Sequence, residues 1–134
     1  MFCVFPTLLR HRSIEPSRLL ETRKGDKTVD GKFEGIGQAS ADSFTNVRIA
    51  GRGDIPTVAT AAILNLTIVF PPAPGFATIA PCTATPPTAS TINCGPGAVV
   101  ANGVTAKVDA NGDVCIYTLA PTDILIDANG YLAG

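Results

Sequence analysis

Oxygen-bearing side chains that could do chemistry collect late in the sequence, where Asp-Ala-Asn-Gly occurs twice, at 109–112 and at 127–130. Asp109, Asn111 and Asp113 stand at the alternate positions that open an EF-hand calcium loop. Such a loop needs glycine at its sixth position and a bidentate glutamate at its twelfth. Those positions hold Val114 and Ala120. The three residues remain candidates only for a noncanonical calcium site, and the expected assignment is a turn with no metal and no cofactor. Asn111-Gly112 lies between two apolar segments, and Asn-Gly is the pair that best accepts the two positive φ angles of a type I′ hairpin.

Hydrolytic chemistry has little to build on. A nucleophile needs a neighbouring base, and the one histidine, His11, lies near the amino terminus. Asp109, Asp113, Asp123 and Asp127 could in principle pair across a glycosidic bond, but that pairing is a spatial separation that sequence spacing does not encode. No glycine-rich phosphate loop occurs. No catalytic residue is assigned, and the chain is expected not to be an enzyme. Arg52-Gly53-Asp54 is the tripeptide read by some adhesion receptors, and it is read here as a turn. Asn65-Leu66-Thr67 fits a glycosylation sequon but falls within the strongest apolar alternation, so Asn65 is expected to be a half-buried amide.

The four cysteines, Cys3, Cys82, Cys94 and Cys115, contain no C-x-x-C pair, which argues against thiolate zinc. Free buried thiols and a disulfide both remain open, the second implying export. A net charge of -1 gives no basic field for nucleic acid, and no apolar run reaches the roughly 20 residues of a membrane span. Neither nucleic acid nor membrane insertion is therefore expected.

These side chains must be positioned by strands. Charged residues are 16% of a chain of 134 residues that carries 13 Gly and 11 Pro, a profile of short strands and tight turns. One domain is expected over 14–134, preceded by a poorly ordered tail at 1–13. The tail has a short apolar stretch followed by basic residues, the reverse of a signal peptide's order; the chain is read as one module of a larger product. The polar, glycine-rich stretch before Ser43 shows no period. From Ser43 alternation begins, with Thr45, Val47 and Ile49 on one face. In "TVATAAILNLTIVF" Ala62, Leu64, Leu66, Ile68 and Phe70 share a face, and "PPAPG" ends the strand. Short segments then follow one another between Pro and Gly clusters. The fold class is an all-β, single-domain antiparallel β-sandwich, of jelly-roll or immunoglobulin-like topology, with an irregular amino-terminal segment docked on the sheet. Asp127 follows "DILI" in alternation, and an enclosed carboxylate requires a partner.

The segments "PSRLLETR", "AAILNLT", "PGFATIAPC", "ASTIN" and "GDVCIYTLAPTDILIDANGYL", in this order, resemble a β-rich module common in exported and cell-surface proteins of actinobacteria. The resemblance covers nearly everything from Pro16 onward and implies a secreted or cell-surface location without an established reaction. It implies a Cys82 to Cys115 disulfide and a buried, unpaired Cys94. It matches Arg18 and Arg23 to a paired-arginine segment, with Glu21 where aspartate is usual. Docking of that segment suggests an ion pair from Arg18 or Arg23 to Asp127. The expected function is a noncatalytic structural or interaction module that binds copies of itself or neighbouring modules. The alternative is a carbohydrate or cell-wall glycan-binding module with Tyr117 and Tyr131 as stacking faces.

Overall fold

The computed structural model describes residues 10–69, 71–80, 82 and 92–133, and its regular structure is entirely β. Eight strands follow in order: β1 (Arg10–Glu21), β2 (Ser43–Arg48), β3 (Ala61–Val69), β4 (Gly75–Ala80), β5 (Ile92–Cys94), β6 (Val99–Lys107), β7 (Asp113–Thr118) and β8 (Asp123–Ala133). They form two four-stranded sheets, ordered β1-β8-β3-β6 and β2-β7-β4-β5, with every ladder antiparallel. The first strand pairs with the eighth, the second with the seventh, the third with the sixth and the fourth with the fifth. That nesting is one long hairpin rolled into two sheets, the jelly roll. An immunoglobulin arrangement, with its different strand count and order, is excluded.

Alternation positions the core as the sequence reading expects. Ala62, Leu64, Leu66 and Ile68 of β3 are buried, while Ile63, Asn65 and Thr67 on the other face are half-buried. Val47 of β2, Val114 and Ile116 of β7, and Ile124, Ile126 and Ala128 of β8 meet them in one apolar cluster between the sheets. Phe70 lies outside the described residues.

Two expectations about the amino-terminal part are corrected. The docked segment is strand β1 as far as Glu21 and irregular from 22 to 42, and residues 10–13, assigned to the tail, belong to the strand, in register with Gly130 to Ala133. The pattern was hidden by register irregularities between Ser13 and Ser17 and between Arg18 and Leu20. Pro16 falls in the first, where no ladder bond is required of its nitrogen. At the second, the consecutive Leu19 and Leu20 are both fully buried, so strict alternation fails.

Strand β1 is the end strand of its sheet, yet its outer edge is occupied from Arg18 to Glu21. The connection to β2 folds back along it: the Val29 N–H donates to the Arg18 carbonyl, the Glu21 N–H to Phe33, and the Gly35 N–H to Glu21. Covering an edge in this way blocks unwanted strand addition.

Candidate functional site

The turn at 109–112 is confirmed, but in a different form. The Gly112 N–H donates to the Asp109 carbonyl at 2.9 Å, and Asp109 Oδ1 accepts from the backbone N–H of Asn111 and of Asp113, both at 2.9 Å. Only Gly112 has a positive φ, +83°; Asn111 does not, so type I′ geometry is ruled out. The flanking strands are not a hydrogen-bonded hairpin either, because β6 and β7 belong to different sheets. The turn carries the chain from one sheet to the other. The second copy, 127–130, runs within β8 and is no turn at all.

The calcium candidates are engaged elsewhere. Asp109 fixes its own turn, and Asp113 accepts from Arg48 Nε at 2.6 Å. Among the described residues no three His, Cys, Asp or Glu side chains converge as a metal site. The other carboxylates also have partners: Asp123 accepts from the Thr22 hydroxyl at 2.7 Å, and Asp127 is held by Arg18.

That last pair is one of the two alternatives expected. Arg18 donates Nε to Asp127 Oδ1 at 2.8 Å and Nη2 to Oδ2 at 3.2 Å, a bidentate fork. Arg23 does not reach Asp127. It grips Glu21 instead, through Nε, Nη2 and its backbone N–H, each at 3.1 Å. Arg18 Nη1 also meets Glu21, so one fully buried carboxylate sits between two guanidinium groups. Burial pushes the Glu21 carboxyl up, but hydrogen bonds and charge from Arg23, with the charge of Arg18, outweigh it and hold the group below its ordinary value. Arg18 and Asp127 themselves are half-exposed, so this pair is not the dry one envisaged.

The most deeply buried arginine is one the sequence reading did not name, although its partner Asp30 still reaches solvent. Arg52, in the Arg-Gly-Asp tripeptide, is 4% exposed, which removes it from any receptor's reach. Its Nε and Nη2 donate to the two oxygens of Asp30 at 2.9 and 2.8 Å, Nη1 to the carbonyls of Leu19 and Arg48, and Nη2 to that of Lys32. These bonds join β1, the end of β2 and the 28–33 segment at one point. The Phe33 ring lies over the guanidinium, 4.9 Å from centroid to Cζ. Phe33 has a φ of +57°, a conformation costing about 1–2 kcal/mol for an L-residue, held while its carbonyl accepts from Glu21. Hydrogen bonding from Arg52 is the main reason the Asp30 carboxyl lies far below its ordinary value. The only sequence signal was an arginine enclosed by Ile49, Ala50 and Ile55.

Around this corner lies a cleft of about 420 Å³, lined by Lys32, Phe33, Arg48, Ala50, Arg52 and Thr57. It shares Arg48, Ala50 and Thr57 with a hollow of about 240 Å³ formed against the turn at 109–112.

Of the two proposed stacking tyrosines, one is buried and the other half-buried, and they lie in different sheets. Tyr117 is 4% exposed, its ring lies against Phe44 and Phe76 with centroids 5.3 and 5.9 Å away, and its hydroxyl donates to Asp42. That bond is the chief cause of a phenol raised above its ordinary value. Tyr131 is in the other sheet and packs against the core. Cys82 and Cys115 stand at disulfide-bonding distance, with Cα atoms 4.8 Å apart, and Cys94 is unpaired and half-buried.

Compared with family models, with curated proteins and with solved structures, the chain matches none. The actinobacterial resemblance therefore rests on its short motifs alone.

Proposed function

We propose that the chain is a noncatalytic interaction module of a secreted or cell-surface protein, associating with copies of itself through the open edge of β6. The observation that carries this reading is the contrast between the two ends of one sheet. The outer edge of β1 is covered from Arg18 to Glu21 by its own connection, whereas β6 ends its sheet with nine residues and forms a ladder only with β3 among the described residues. Ala101, Gly103 and Thr105 are exposed along it, Val99 is 57% exposed, and Lys107 at its end is its single charge. Native edges of this length are ordinarily blunted by charge, proline or a covering segment. An edge left plain is suited to strand addition by a second chain. The Cys82–Cys115 pair is compatible with an oxidising location. No described helix is long and apolar enough to cross a membrane. Glycan binding through Tyr117 and Tyr131 has less support, because Tyr117 is buried and the two rings belong to different sheets.

Sedimentation velocity over a concentration series tests the reading. The parent is expected to shift from monomer to larger species as concentration rises, and Ala101→Lys/Gly103→Lys, which places like charges on the meeting edges, to stay monomeric. A parent that remains monomeric up to its solubility limit overturns it, as does a double variant that associates like the parent.

A further inference from the structure

The geometry points to the cleft beside the Arg52 corner as a binding site for a carboxylate-bearing sugar unit, such as a uronic acid residue of an acidic polysaccharide. This goes beyond self-association through β6 and does not depend on it.

Three properties of the cleft carry the inference. It is pre-formed: its floor is Arg52, immobilised by five hydrogen bonds and capped by Phe33, and the hollow that adjoins it is formed against the turn that Asp109 locks through two backbone N–H groups. Its volume is within the range of small-ligand pockets, roughly 300–1,000 Å³. Its cations are incompletely used. Arg48 spends only Nε on Asp113, leaving both terminal nitrogens without a bond to the described residues, and the exposed Lys32 ammonium makes no ion pair among them. Two nearby cations with free donors recognise an anion, and the planar guanidinium suits a carboxylate.

The remaining lining selects the kind of anion. Phe33 offers apolar ring surface and Thr57 a hydroxyl in the cleft, while Asn111 and Asp109 offer acceptors in the adjoining hollow, which a ligand longer than one carboxylate can reach. Ligand hydroxyls satisfy such acceptors. An acidic peptide brings further carboxylates and few hydroxyls, so it leaves these acceptors without donors. A sugar acid supplies one carboxylate, several hydroxyl donors and an apolar ring face in a single compact unit.

Titration of the full chain with sodium glucuronate, followed by amide chemical shifts, tests the site. Saturable shifts are expected at Gly51, Arg52, Thr57, Asn111 and Gly112, with glucose, acetate and inorganic phosphate each causing less than a tenth of the change. Lys32→Ala and Arg48→Ala are expected to weaken binding at least fivefold each. The Lys32 side chain has no hydrogen-bond or ion-pair partner among the described residues, so its variant reads recognition even if Arg48→Ala disturbs the Asp113 contact. Glucuronate leaving these amides unmoved, glucose or phosphate moving them equally, unchanged affinity in Lys32→Ala, or an acidic peptide moving them where glucuronate does not, would each overturn the assignment.

Discussion

Replacing Arg52 by methionine removes the guanidinium fork while keeping an apolar stem of similar reach. Five hydrogen bonds that Arg52 donates go at once: two to Asp30, and one each to the carbonyls of Leu19, Arg48 and Lys32. Taking one partner from a buried pair costs about 3–5 kcal/mol. The Asp30 side chain is 29% exposed, so water recovers part of that, whereas the Leu19 carbonyl faces a dry site. The expected loss is about 3 kcal/mol. With an unfolding entropy of about 2.1 cal/mol/K per residue over this chain, that lowers the Tm by about 11 °C. Arg18→Met, which breaks the half-exposed pair with Asp127 and one of the bonds to Glu21 while Arg23 keeps its own three, is expected to cost less, about 1–2 kcal/mol. Urea denaturation followed by circular dichroism measures both.

The pH dependence supplies an independent check. The Asp30 carboxyl is held far below its ordinary value in the folded chain, first by the Arg52 hydrogen bonds. Its stabilisation is therefore complete above the unfolded value of about 4 and is lost as pH falls toward the folded one. The gap between parent and Arg52→Met should be constant near neutrality and narrow below about pH 4. A loss under about 1 kcal/mol, equal losses in the two arginine variants, or a gap that widens in acid would refute the reasoning.

Two further outcomes concern stability. The Cys82–Cys115 bond closes a loop of sequence separation 33, so Cys82→Ser/Cys115→Ser is expected to cost about 3–4 kcal/mol in the chain-entropy model; alkylation before reduction should leave both cysteines unmodified in peptide maps. Gly112→Ala forces an L side chain to a φ of +83° with its Cβ 2.8 Å from that of Ala50, for an expected loss of about 1–3 kcal/mol by urea denaturation, whereas Gly95→Ala, with open space around it, should change stability by less than about 0.5 kcal/mol.

What the sequence disclosed follows from periodicity. Val47 and Ile49, and the face from Ala62 to Ile68, are legible because a strand buried on one side must alternate, and Pro and Gly clusters mark where it stops. Strand β1 is illegible for the same reason: two register irregularities break the alternation, and its outer edge is satisfied by residues 29–35, a pairing no local pattern encodes. Topology was equally hidden, since the partners of β1 and β2 lie in the last quarter of the chain. At the candidate site, Asp109 was found by motif and correctly read as a turn residue, while Arg52 looked like surface because charge in a Gly-rich stretch ordinarily is. Its role depends on Asp30 and on three carbonyls brought together only by folding. Phe33, Lys32 and Arg48 carried no signal of their own.

The nested pairing of the strands has a consequence for how the molecule comes into being. Every ladder joins one of β1–β4 to one of β5–β8, and none forms within either half. A growing polypeptide that has emerged only as far as Ala80 owns no complete pair of neighbours, so maturation waits for distant segments, the slow route for β proteins. Until β7 and β8 slot between their earlier partners, the leading half stays threadable, a state in which a pore could still pass it.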